Sequence, residues 1–203
     1  MFTAFLDPPP GSSFRQEAEP PPSSAVPLLM ALLIASLAMG LGALLVFYFV
    51  MRARLPQWPP PGTPPLPAGL WVSTALLLAV SAALHAAVRA ARRDRAAAVR
   101  RLTRAAVALA AAFLISQTAV WFTAYLRQMP PQLNMYAINF YLLSGLHALH
   151  VVGGLVPLGL VAARAGRGRY SAGNHAGLRY CALYWHFVDI VWLIMFAALH
   201  MTR

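Results

Sequence analysis

Five apolar runs, each long enough to cross a bilayer, constrain this chain more than any single residue does. They lie at about 27–50, 70–88, 105–126, 135–163 and 176–200. An α-helix rises ~1.5 Å per residue, so ~20 apolar residues cover a hydrocarbon core ~30 Å thick. Lipid offers no water to bare backbone groups, so a spanning segment must be helical or part of a closed barrel. The sequence shows neither an alternating β pattern nor an internal repeat. It therefore predicts an all-α integral membrane protein, with five transmembrane helices in one bundle over residues 26–203. Composition agrees: 60% of the 203 residues are hydrophobic and 10% charged, where soluble domains carry about a quarter charged.

The polar segments fall between and before these runs. Residues 1–25 include Pro8-Pro9-Pro10 and Pro20-Pro21-Pro22 and are expected to form a disordered cytoplasmic tail. No basic region leads directly into an apolar stretch and cleavage site, so no removable signal peptide is expected. A second Pro-rich stretch, 56–67, reads as a semi-rigid spacer. Trp71 begins the second span as an interfacial anchor.

Charge supplies direction. The net +11 comes from sixteen Arg and no Lys against five acids. A basic patch would suggest nucleic acid, but these Arg cluster in short segments between apolar runs, which is how topology is encoded. No nucleic-acid partner is expected. Seven Arg at 89–104, four at 164–179 and Arg15 fall on one side; Arg52, Arg54, Arg127 and Arg203 fall on the other. Positive charge stays cytoplasmic, so the N-terminus is expected inside and the C-terminus outside. The single Cys181 excludes an intramolecular disulfide and a Cys-rich metal site.

Polar side chains within the runs mark a candidate site. In Tyr184-Trp185-His186-Phe187-Val188-Asp189-Ile190-Val191-Trp192, residues Trp185, Asp189, Trp192 and Phe196 share one helical stripe. A carboxylate at mid-membrane costs about 2.5–3.5 kcal/mol on insertion scales, so Asp189 should face protein or water and have a partner. His147 and His150 share a face of the fourth run, and their heights place them within two turns of His186 and Asp189. One network joining the four is the expectation. In the third run, Phe113, Gln117, Trp121 and Tyr125 recur every fourth residue as a packing face around one amide. His85, a turn before Arg89, reads as interfacial.

These phrases carry a family likeness. Phe140-Tyr141 through Gly145-Leu146-His147-Ala148-Leu149-His150-Val151, and the Tyr184–Trp192 segment, resemble the two hallmark helices of subunit III of the haem–copper cytochrome c and quinol oxidases. Phe113-Leu114, Gln117 and Trp121 are similar to the helix before them, and the likeness extends over about 27–200 by hydropathy and order. It is closest to the short, five-helix bacterial members. It implies a non-catalytic subunit in the bacterial inner (plasma) membrane, with no cofactor of its own. That subunit would pack on the haem- and copper-bearing catalytic subunit I beside other oxidase subunits, bind phospholipid and support assembly and sustained turnover in aerobic electron transport. The motif residues so implicated, as a polar, lipid or packing face, are Gln117, Trp121, Tyr141, His147, His150, Tyr184, Trp185, His186, Asp189 and Trp192. No catalytic or metal residue is implied. One departure is plain: Leu37 stands where the family usually carries a first-helix Glu, and no Glu occurs in any run.

Three alternatives follow from the same residues. The accessory subunit of nitric-oxide reductase shares the hallmark helices. A haem-binding membrane cytochrome would use His85, His147, His150 and His186. A small proton-coupled transporter would use Asp189, but the broken helices and inverted repeat common in such folds are missing.

Overall fold

The computed structural model describes residues 25–201. These form five helices: α1 (Ala25–Arg54), α2 (Gly69–Ala91), α3 (Ala96–Leu126), α4 (Met135–Gly166) and α5 (Ala176–Met201). Each is long and apolar enough to cross a membrane, and no strand occurs among the described residues. The expected Pro-rich tail lies outside the described residues, except that Ala25 opens α1.

Helices α2, α3, α4 and α5 close a four-membered ring in which each touches the next, and α1 leans on its outside against α4 and α5. The α2–α3 pairing is the closest. Only residues 92–95 separate these two helices, which forces them antiparallel. Small residues are buried on both helices, among them Ser73, Ala87 and Ala91 of α2 and Ala106, Ala110 and Ala124 of α3. Since lipid is as apolar as any core, such helices associate through close packing and interhelical hydrogen bonds. Here Ser73 Oγ and Ser116 Oγ lie 2.9 Å apart.

Asp94 closes the α2–α3 turn at φ 54°, a left-handed conformation that Asp tolerates better than most residues. Its carboxylate accepts a 2.7 Å bond from the backbone N–H of Ala172 in the α4–α5 connection. α3 starts at Ala96, well ahead of the apolar run beginning near residue 105, so Arg100, Arg101 and Arg104 belong to the helix. Arg is a good helix former, and helix propensity does not stop where hydropathy does.

Packing divides the helices by role. In the spanning window of α5, 50% of residues are buried against only 6% in α1. Leu28, Leu29, Leu32, Met39 and Val46 of α1 all face outward. Leu41 and Tyr48 are the α1 residues that enter the core.

The stretch 56–67 is no free spacer. Trp58 Nε1 donates to Tyr48 Oη at 3.1 Å, and its ring packs edge-on against Tyr48 and Tyr136 at 5.4 and 5.5 Å. Thr63 donates to the Pro60 carbonyl at 2.6 Å and accepts from Asn134 Nδ2 at 2.8 Å. Asn134 is also the N-cap of α4, accepting from Ala137 N at 2.9 Å. The segment lies over one end of the bundle, where Tyr48 and Tyr136 donate to the last carbonyls of α5, Ala198 and Leu199.

Candidate functional site

The α5 stripe is the centre of the ring. Trp185, Asp189 and Trp192 are buried, and Phe196 is half-buried beside Trp71, with ring centroids 4.7 Å apart. Trp192 Nε1 donates to Thr74 Oγ1 of α2 at 2.9 Å, and Thr74 in turn donates to Leu70 O at 2.8 Å. Phe113 of α3 and His147 of α4 close on the same indole, at 5.5 and 4.8 Å between ring centroids. Four helices thus meet on one Trp.

The partner of Asp189 differs from the expectation. Ser81 of α2 faces its carboxylate and also lies 2.9 Å from His186 Nδ1. His186 stands beside His85 as well, with centroids 6.1 Å apart. The α4 histidines are engaged elsewhere. His150 Nδ1 donates to Leu146 O at 2.7 Å within its own helix, while its own carbonyl accepts from Tyr184 Oη at 2.8 Å. His147 is fully buried between Phe113 and Trp192, and neither of its ring nitrogens has a hydrogen-bond partner. The expected four-residue network is therefore replaced by an α2–α5 cluster of Ser81, His85, His186 and Asp189. The reason is azimuth: residue heights were matched, but α2 as well as α4 borders α5, and the small Ser81 lets both α5 polar groups reach it.

The α3 stripe holds over three of its four members. Phe113 and Gln117 are buried and Trp121 half-buried, but Tyr125 is exposed at the end of α3. Trp121 Nε1 donates to Ser144 Oγ at 2.9 Å, and Tyr141 Oη lies 3.3 Å from Trp121 O, binding α3 and α4 together. Both amide atoms of Gln117, like Trp185 Nε1 and Asp189 Oδ1, are buried without a hydrogen-bond partner. Sequence reasoning missed Thr74, Ser81 and Ser144. Their signal was available: small hydroxyl residues inside apolar runs are the interhelical donors and acceptors of membrane bundles.

Several clefts open on the outside of this core, and two of them border α5 with arginine in the lining. One, of about 510 Å³, separates α1 from α4 and α5. Its walls are apolar (Met30, Leu33, Leu37, Leu160) with Tyr180, Cys181 and Tyr184 behind, and Arg164 is its only charged lining residue. Pro157 and Gly153 shape the α4 wall; the proline ring removes one backbone donor, freeing the Gly153 carbonyl. Arg164 stands beside Tyr170 in the α4–α5 connection, whose phenol burial raises above its usual pKa against the pull of that cation. The other cleft, about 210 Å³, lies between α2 and α5 and is lined by His85, Arg89, Arg92, Arg179 and His186. Among the described residues, no three of His, Cys, Asp or Glu gather as metal ligands would.

Taken together, a closed ring of spanning helices with polar groups turned inward defines a multi-pass α-helical membrane protein. The chain belongs to the cytochrome c oxidase subunit III family, whose model matches residues 25–202. It is 34% identical to cytochrome c oxidase subunit 3 of Synechocystis sp. over 171 residues, which cover 83% of this chain and 72% of that protein. It is 32% identical to the subunit 3 of Thermostichus vulcanus over 187 residues, 91% of this chain and 90% of the relative. A shorter match of 65 residues, 49% identical, links it to a probable cytochrome c oxidase subunit 3 of Rickettsia prowazekii, covering 31% of this chain and 23% of that one.

Proposed function

We propose that this chain is the non-catalytic subunit III of a haem–copper terminal oxidase in a bacterial inner membrane. It packs on the catalytic subunit, which carries the haem and copper, and supports assembly and sustained aerobic electron transport to O2. Family membership over residues 25–202 is the observation that carries this reading. The buried polar residues of this chain are consistent with it: Trp192 donates to Thr74 of α2 and Ser81 of α2 faces Asp189, as groups that hold the bundle together would. The Arg bias supports an N-terminus inside and a C-terminus outside.

The α1/α4/α5 cleft is the part we assign to phospholipid. Its walls suit acyl chains, and Arg164 at the end of α4 offers a cation at headgroup depth. α1 touches the bundle at so few places that an acyl chain between it and α4 replaces missing side-chain contact.

The test is purification through a tag on this chain. Co-purification of a haem–copper catalytic subunit with oxidase activity is expected; recovery with a nitric-oxide reductase, or with neither, overturns the reading. Within the complex, Asp189→Asn should shorten the lifetime of turnover or weaken retention of the subunit while leaving the initial rate intact. Loss of all activity at full assembly would refute a supporting role.

A further inference from the structure

The second cleft carries a separate proposal. α2 presents His85, Arg89 and Arg92 at i, i+4 and i+7, and α5 presents Arg179 and His186 seven residues apart. The two stripes face each other across about 210 Å³, with Val88, Ala182 and Leu183 as the apolar part of the lining. His85 to Arg92 spans ~10 Å along the helix axis, which matches the passage from the acyl boundary to the headgroup layer.

Among the described residues, no acid lines this cleft. The described residues contain two acids, Asp94 and Asp189. Asp94 is turned to the backbone of the α4–α5 connection, where it accepts from Ala172 N at 2.7 Å. Asp189 is buried against Ser81. Three guanidinium groups, each a planar fork of donors suited to phosphate oxygens, therefore border a cleft beside two imidazoles with no acid in its lining among the described residues. His186 uses Nδ1 toward Ser81, which fixes its ring and leaves its other nitrogen for the cleft.

We propose that the α2/α5 cleft is a phosphate-binding site, taking the phosphodiester of an anionic phospholipid or a free phosphate. It is distinct from the Arg164 cleft on the opposite flank of α5 and does not depend on the oxidase reading.

The experiment uses the full chain in its purified, delipidated membrane complex. Binding of dioctanoyl phosphatidylglycerol, dioctanoylglycerol without phosphate, and inorganic phosphate is followed by native mass spectrometry and thermal unfolding. Phosphatidylglycerol should bind and stabilise the wild type, at least tenfold more weakly in Arg89→Gln/Arg179→Gln, and near wild-type strength in Arg89→Lys/Arg179→Lys. Arg164→Gln should leave this binding unchanged, which separates it from the first cleft. Competition by inorganic phosphate at millimolar concentration assigns the site to free phosphate; stabilisation by the lipid alone assigns it to a headgroup. Equal binding by the phosphate-free glyceride, or unaltered affinity in the Gln variant, overturns the proposal. So does loss of a partner subunit from the Gln variant at unchanged lipid affinity, because the arginines then serve an acidic protein surface. Arg179→Gln alone, at the exposed start of α5, keeps the comparison readable if the double variant fails to fold.

Discussion

Two adjacent glycines of α4 provide a sharp test of the packing described above. A methyl group added at Gly154 would lie 2.6 Å from Cε1 of Tyr184 and 3.3 and 3.4 Å from the Trp185 ring, whereas one added at Gly153 meets nothing within 4 Å. Tyr184 cannot simply swing aside: its ring is buried and its hydroxyl donates to His150 O at 2.8 Å. Forcing a methylene-sized group into such a seam costs about 1–3 kcal/mol. Replacing Gly by Ala inside a helix returns roughly 0.5–1 kcal/mol. That return is common to both positions, so the difference between Gly154→Ala and Gly153→Ala isolates the overpacking cost, about 1–3 kcal/mol. On the scale where 1.4 kcal/mol is tenfold in an equilibrium constant, reversible unfolding of the two variants in mixed micelles resolves this easily. Gly153→Ala should match or exceed the wild type and Gly154→Ala should fall below it. Tyr184→Phe in the Gly154→Ala background should recover part of the loss, since the freed ring can shift. If Gly154→Ala proves as stable as Gly153→Ala, the α4–α5 seam is not packed as described.

Other expectations follow from single contacts. Gln117→Met should leave stability unchanged or raise it, because both amide atoms are buried without partners and each such group costs about 1–3 kcal/mol; a clear loss in the same unfolding assay would reveal a bonding partner for the amide. Trp192→Phe removes the 2.9 Å bond to Thr74 and should cost about 0.5–1.5 kcal/mol, with Thr74→Val adding little further in the double variant. Asp94→Ala loses both the acceptor for Ala172 N and a residue tolerant of φ 54°, so trypsin should cut the connection at 167–175 faster than in the wild type. Asp94→Asn, which keeps both properties, should be cut at the wild-type rate.

The helices were legible in the sequence because lipid imposes one solution on an apolar run of spanning length. Their ends were less so: hydropathy falls at residue 105, but α3 starts at Ala96 through residues that favour a helix in water as well as in lipid. The aromatic stripe was legible for the same periodic reason, and Trp185, Asp189 and Trp192 do share the buried face of α5. The partner of Asp189 was not. Residue counting gives height along a helix, yet which neighbour stands at that height depends on the order of helices around the ring, and that order is a property of the whole bundle. Ser81 and His150 could both be reached by height alone, and α2 holds Ser81 against His186.

Leu37 joins these lines of reasoning. It stands where the family resemblance leads one to expect a Glu, and it lines the α1/α4/α5 cleft. A Glu there would face apolar walls, with Arg164 the only cation in the lining, and would bear the cost of a membrane-buried acid. With Leu, that wall is continuous with Leu33 and Met30, which keeps this part of the lining apolar. A cluster of Ser81, His186 and Asp189 lies instead on the α2 side of α5. One flank of α5 thus borders an apolar cleft with one guanidinium in its lining and the other a cleft with three, so the Arg164 and Arg179 clefts should differ in what they hold.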